Sequence, residues 1–282
     1  MNIAIIFAGG VGIRFKSYDI PKQFVEICGK PIIIHTLELF EKHNDIDKIY
    51  ISILPSHKSY MEKLIADYGI TKVSGIVNGG ETGQDSIFNA LSLAYKENPE
   101  NSVVLIHDGV RPIVDYDVIS ENIKTAELYG NAVTCTPCTE TILVSGDGIS
   151  PSEIPYRRET FAAQAPQSFL LGDIYNAHLT IRKRPEKYTD MVDSCTIYKY
   201  LNKKTYMVKG NVDNIKVTNP RDIFILKALI ECRQAEKHDN DFSPRFICSH
   251  SGSNNHDNFS IPPITHHKNL CAKKTKLTLI TR

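Results

Sequence analysis

Short apolar runs alternating with longer stretches of helical periodicity set the strongest limit on what this chain can fold into. Residues 3–7, 48–54, 73–77, 102–106 and 131–136 are rich in β-branched and aliphatic side chains. Between them, residues 33–40, 56–68, 85–95 and 116–129 place apolar side chains at helical spacing. Strands that alternate with helices of ten or more residues predict a parallel sheet joined by crossover helices. The expected fold class is therefore α/β, a mostly parallel sheet flanked by helices. The pattern changes after Pro137. Residues 138–162 hold short apolar stretches broken by turn residues, which suggests a β-arm inserted in the domain. Residues 170–183 read as a helix, 205–209 as a strand and 220–234 as the last helix.

From residue 235 the periodicity fades and Asn, Ser, His and Lys dominate. Residues 235–282 are therefore expected to form a polar, disordered tail behind a domain of residues 1–234. Five of the ten histidines lie in the tail, but no pair has ligand spacing on a fixed scaffold, so a metal site is not predicted there. The net charge of +1 argues against a general nucleic-acid or membrane-surface binder. No apolar run approaches the roughly 18 residues of a membrane span. The N-terminus enters a strand directly, and seven cysteines at irregular spacing fit a reducing compartment. A cytoplasmic location is the expectation. Cys135-x-x-Cys138 stands alone, without a second pair, and reads as incidental.

The first strand ends in Ala8-Gly9-Gly10-Val11-Gly12, with Arg14 and Lys22 close behind. Glycines admit a sharp turn, and consecutive N–H groups in such a loop cradle anionic oxygens. Two following cations suit a polyphosphate. The dinucleotide fingerprint would need glycine at 15, where Phe15 stands, and no Gly-Lys-Ser/Thr follows for a Walker loop. Three further segments carry candidate chemistry. Gly79-Gly80-Glu81 with Asp85-Ser86 exposes backbone able to read a base edge, though Ser86 alone also fits a helix N-cap. His107-Asp108-Gly109-Val110-Arg111-Pro112 ends a strand, where parallel sheets bind ligands. A carboxylate there suits Mg²⁺, which takes one or two carboxylates plus phosphate oxygens. Arg157 offers a planar fork for phosphate, and on its own also fits a solvated surface charge.

Together these segments resemble the nucleotide-sugar pyrophosphorylase superfamily. Within it they are most similar to the cytidylyltransferases of the ribitol 5-phosphate and 2-C-methyl-D-erythritol 4-phosphate type. The resemblance rests on G-G-x-G-x-R with Pro21-Lys22-Gln23, the Gly-Gly turn before Ser86, H-D-G-V-R-P, and Ala163-Gln164-Ala165-Pro166-Gln167. The ending Asn214-Ile215-Lys216-Val217-Thr218-x-Pro220 completes it. It covers about residues 1–234. The chain departs from the family's pattern at Gly83-Gln84, where Arg-Ala is usual, at Gly109 for Ala and at Ala165 for Thr.

The resemblance implies a Rossmann-like fold and transfer of a cytidylyl group from CTP to a polyol phosphate, with release of pyrophosphate and with Mg²⁺ as cofactor. It implies catalysis by Arg14, Lys22 and Lys216. Nucleotide binding falls to Ala8, Gly9, Gly10, Gly12, Gly80, Ser86 and Asp108. Acceptor binding falls to Thr141, Arg157 and Thr189, and metal binding to Asp108 and Asp213. Arg111 reads as structural, and Asp193 as a helix-side residue. The β-arm would carry Thr141 and Arg157 to a partner's site in a homodimer. Ribitol 5-phosphate is the expected acceptor, because F-A-G-G-V-G-x-R-F, I-P-K-Q-F and A-Q-A-P-Q-S-F look closer to that group. Methylerythritol phosphate stays open as the alternative. A Rossmann oxidoreductase would need the missing third glycine and an acidic residue where Leu54-Pro55-Ser56 sits. A pure binding module is disfavoured because the cationic and acidic groups are all present.

Overall fold

A computed structural model of the chain describes residues 1–10, 20–186 and 188–238. The apolar run at the N-terminus forms β1 (Asn2–Ala8), an interior strand of a seven-stranded sheet. A small hairpin, β2 (Glu26–Ile27) and β3 (Lys30–Pro31), leads into α1 (Ile32–Lys42). Then come β4 (Lys48–Ile53), α2 (Lys58–Asp67), β5 (Val73–Asn78), α3 (Gly83–Glu97), β6 (Val103–Asp108), α4 (Tyr116–Tyr129) and β7 (Asn131–Pro137). After the arm follow β8 (Phe161–Leu170), α5 (Leu171–Arg182), α6 (Ser194–Tyr200), β9 (Met207–Lys209) and α7 (Pro220–His238).

The sheet order is β5-β4-β1-β6-β8-β7-β9. β1 pairs in parallel with β4 and β6, β4 with β5, and β7 with β9, while β8 runs antiparallel to both of its neighbours. Six strands therefore share one direction. Two apolar layers cover the sheet, as the expected helices require. One holds Ile33, Leu37, Phe40, Ile49, Ile51 and Ile119, and the other Ile5, Tyr50, Leu91, Val104, Ile174 and Ile197. The carboxyl ends of β1 and β6 converge on Ala8 and Asp108, which places the sequence motifs on one edge of the sheet.

The sequence reading missed β8 as one ten-residue strand. Gln164, Pro166, Gln167 and Ser168 hide it, because proline is not expected in a central strand. Pro166 is tolerated where the β7–β8 register shifts between Val133 and Cys135. The same strand is tied in place by buried polar side chains. Thr134 Oγ1 donates to the Pro166 carbonyl at 2.6 Å, and Ser168 Oγ donates to Asn122 Oδ1 at 3.1 Å. α6 was also missed, being only seven residues long. The expected arm is an exposed excursion between β7 and β8. Its base closes where the Cys138 N–H donates to Thr160 O at 3.0 Å, and Val144 bridges Glu153 further out. Cys135 and Cys138 are free thiols. α7 continues past Gln234 to His238, and the expected tail from 239 onward lies outside the described residues. No helix among the described residues is long and apolar enough to cross a membrane.

Two buried imidazoles make this core acid-sensitive. His178 on α5 is fully enclosed, with Nδ1 2.7 Å from Tyr188 Oη, and burial lowers its pKa from 6.5 to about 3. His107 on β6 is likewise enclosed, and burial lowers its pKa to about 4. A base whose folded pKa is depressed contributes stability that is fully present above its unfolded pKa. That contribution is lost as pH falls from about 6.5 toward the folded value. Each histidine should cost roughly 2 kcal/mol between pH 6.5 and 5. His178→Asn keeps a polar partner for Tyr188 but cannot take up a proton. Urea midpoints of this variant should fall less steeply between pH 7 and 5 than those of the parent; equal slopes would show that His178 is not held neutral.

Candidate active site

The end of β1 and the Gly-Gly turn meet back to back. A Cβ on Gly9 would lie 2.6 Å from Ser86 Oγ and 2.9 Å from Gly79 Cα, so only glycine allows this approach. The Ala8 carbonyl is fixed by Gln23, whose Nε2 donates to it at 2.9 Å from a buried position. Ser86 is buried and its hydroxyl shapes the turn, accepting from the Gly80 N–H at 3.0 Å and donating to Thr82 O at 3.0 Å. The N-cap of α3 is Thr82, in a reciprocal capping box with Asp85, so Ser86 is not the cap.

These groups line a cavity of about 530 Å³ that also takes in Gly10, Lys22, Glu81, Asp108, Lys216 and Thr218. A second cavity of about 310 Å³ adjoins it and shares Phe7, Asp108, Lys216 and Thr218. Its far walls come from Gln164, Ala165 and Gln167 on β8 and from Val192, Asp193 and Ser194 ahead of α6.

Asp108 stands on the shared wall with both oxygens engaged. Oδ1 meets Lys216 Nζ at 2.5 Å, and Oδ2 accepts from Arg111 Nε at 2.9 Å. Burial opposes the negative charge, but Lys216 and Arg111 outweigh it and lower the Asp108 pKa to about 2. Arg111 also donates through Nη1 to Asn214 O at 2.7 Å, and Asn214 Nδ2 donates to Ala165 O at 2.6 Å. Arg111 is thus a brace, as its reading as structural anticipates. Lys22 Nζ donates to Val217 O at 2.9 Å, so the two lysines flank one peptide segment.

The structure therefore brings Ala8, Gly9, Gly10, Lys22, Gly80, Ser86, Asp108 and Lys216 to one place. Gly12 and Arg14 lie outside the described residues. Asp213 is not brought to Asp108; its carboxylate lies 3.6 Å from Arg233, which also pairs with Asp115 at 3.0 Å. Among the described residues no cluster of three His, Cys, Asp or Glu side chains forms a metal site. A single hard oxygen donor at Asp108 does fit a cation that takes its other ligands from phosphate. Thr189 lines neither cavity. It is exposed, and its hydroxyl donates to Glu186 O at 2.7 Å. Asp193 caps α6, so the 192–194 segment, three residues further on, forms the wall instead. Thr141 and Arg157 are exposed on the arm, with Arg157 Nη1 3.3 Å from Thr139 O, and they line neither cavity. The sequence reading named Gln164 and Gln167 only as parts of a pattern. Their place in the cavity wall follows from β8, the strand it did not find.

Comparison with known proteins agrees with this geometry. Residues 2–232 match the family model described as IspD, 2-C-methyl-D-erythritol 4-phosphate cytidylyltransferase. A ribitol-5-phosphate cytidylyltransferase of Streptococcus agalactiae is 41% identical over 237 residues, covering 84% of this chain and 98% of the relative. A 2-C-methyl-D-erythritol 4-phosphate cytidylyltransferase of Clostridium botulinum is 36% identical over 230 residues, covering 82% and 97%. The crystal structure of 4-diphosphocytidyl-2C-methyl-D-erythritol synthase from Anaerococcus prevotii superimposes with a TM-score of 0.70 at 25% identity, over 82% of this chain and 96% of that one. With the glycine-bearing end of β1, the strand-end aspartate and Lys216 gathered at one edge of the sheet, the chain belongs to the IspD family of CTP-dependent cytidylyltransferases.

Proposed function

We propose that this polyol-phosphate cytidylyltransferase uses D-ribitol 5-phosphate, giving CDP-ribitol and pyrophosphate. The observation that carries the transfer chemistry is the shared wall of the two cavities, lined on both sides by Asp108 and Lys216. The larger cavity takes CTP with its triphosphate along Ala8–Gly10, and the smaller takes the acceptor. An acceptor phosphate oxygen attacks the α-phosphorus, a P–O bond forms, and the bond to the β-phosphate oxygen breaks. The attacking oxygen is already ionised, so no general base is needed. The barrier is charge crowding, and the protein lowers it by positioning and fixed positive charge. Lys22 and Arg14 neutralise the triphosphate, and Lys216 neutralises the attacking phosphate. Asp108 would hold Mg²⁺ when it is bound. Bound there, the cation would offset charge on the phosphate oxygens. Ribitol is favoured over methylerythritol by the 41% against 36% identity of the relatives quoted above.

A homodimer belongs to this reading. Ile142, Leu143, Ile149, Ile154 and Tyr156 on the arm are exposed, a run of apolar surface suited to a second copy of the chain. The same arm carries Thr141 and Arg157, which would hold the acceptor phosphate in the partner's smaller cavity. Mixing two inactive variants tests this. Lys216→Ala and Arg157→Ala protomers should regain up to about a quarter of parental activity when mixed, because one composite site in a mixed dimer keeps both residues. No recovery in mixtures shown to exchange subunits would place Arg157 in its own chain's site or in none.

The acceptor is tested by pyrophosphate release with CTP and either ribitol 5-phosphate or 2-C-methyl-D-erythritol 4-phosphate. Ribitol 5-phosphate should give at least tenfold higher kcat/KM; the reverse order would move the chain to the isoprenoid substrate. Lys22→Ala should lower kcat by roughly 10²–10³, the usual effect of removing one charge-stabilising donor. Lys22→Arg should recover it only in part, since a planar fork does not replace a compact ammonium. A raised CTP Kd with unchanged kcat would show Lys22 to be a ground-state binding residue.

A further inference from the structure

The Gly-Gly turn is held by the Ser86 hydroxyl on one side and by one carboxylate on the other. Asp85 Oδ2 accepts from Thr82 Oγ1 at 2.7 Å and from the Thr82 N–H at 3.3 Å. A Cβ on Gly80 would lie 2.2 Å from Asp85 Cβ, so the turn lies directly against this side chain. The other oxygen, Oδ1, accepts from Arg182 Nη1 at 2.5 Å. Arg182 sits in the last turn of α5, 97 residues away in sequence. Its guanidinium lies 4.4 Å from the Phe88 ring centroid and 5.8 Å from that of Tyr188. Tyr188 is in turn fixed by His178 at 2.7 Å and begins the segment that supplies Val192, Asp193 and Ser194 to the smaller cavity.

An exposed ion pair of this kind contributes little. This one differs in three respects. Both side chains are mostly covered, with 34% of Arg182 and 21% of Asp85 exposed. The guanidinium packs on an aromatic face, which restricts its rotation. It also binds the one oxygen of Asp85 that Thr82 leaves over, so it fixes how the carboxylate is turned toward Thr82.

We propose that Arg182 is a positioning residue for nucleotide choice: through Asp85 it holds the 79–82 turn in its base-reading shape, and through Tyr188 it ties that turn to the acceptor wall. The proposal rests on the reading that this turn faces the cytosine ring. The turn itself carries Gly83 where the family pattern has arginine, and Arg182 brings a guanidinium to the same turn from another element.

The test measures CTP and UTP Kd by calorimetry on the full chain, with no acceptor present, for Arg182→Gln, Arg182→Lys, Asp85→Asn, the Arg182→Gln/Asp85→Asn double variant and Ser86→Ala. Arg182→Gln should weaken CTP binding roughly tenfold and shrink the CTP:UTP ratio by a similar factor. Asp85→Asn should match it. The double variant should be no worse than either single one, because the two side chains act as a unit. Arg182→Lys should recover part of the ratio. Ser86→Ala controls for the turn's role and should also shrink the ratio. If Ser86→Ala shrinks the ratio while Arg182→Gln leaves it intact and lowers only the melting temperature, Arg182 is a plain helix brace and the proposal falls. If neither changes the ratio, the turn does not read the base, and both the base-reading assignment and the proposal are overturned.

Discussion

Everything at the working edge of this protein depends on a buried carboxylate held between two cations. Asp108 ends a strand that is enclosed along its whole length, where an unpaired charge would cost several kcal/mol. Lys216 and Arg111 remove that cost, and they arrive from different parts of the chain. Arg111 comes from the loop just after the strand. Lys216 comes from the segment before the last helix, which is pinned through Asn214 to β8 and through Val217 to both Lys22 and the Val110 backbone. One electrostatic requirement thus gathers the first, middle and last motifs. It also leaves an ammonium group 2.5 Å from a carboxylate at the junction of two cavities, where phosphates can compete for it.

The parallel core was legible because its signal is local. Each strand is an apolar run, each helix repeats at three and four residues, and the crossovers follow from their order. β8 was not legible, because its stability comes from neighbours rather than from its own side chains. Asn122, Thr134 and Asn214 bind its backbone or hydroxyls from three other segments, and a proline in a register shift breaks the usual pattern. Missing that strand also hid the cavity wall that Gln164 and Gln167 form.

Residue by residue, the site followed the same division. Lys22, Asp108 and Lys216, which short strings carry, line one cavity together. Thr189, expected at the acceptor, lines neither cavity, and Val192, Asp193 and Ser194 at the start of α6 form the wall three residues along. Asp213 also sat in the right string, yet a long-range pairing with Arg233 on α7 turns its carboxylate elsewhere. Ser86 lies against the turn, and its hydroxyl holds the turn's backbone rather than capping the helix. In each case sequence spacing gave the neighbourhood, and competing hydrogen bonds chose the orientation.

Because β8 runs against its neighbours, β7 ends and β8 begins at the same edge of the sheet as Ala8 and Asp108. The arm therefore leaves the domain from its working edge, with its base clasped between Cys138 and Thr160. Insertions, deletions or wholesale exchange beyond that clasp leave every pairing of the sheet untouched. Such an outgrowth is a separable module. What lies beside Ala8 and Asp108 can therefore be rewritten without disturbing the strands that carry them.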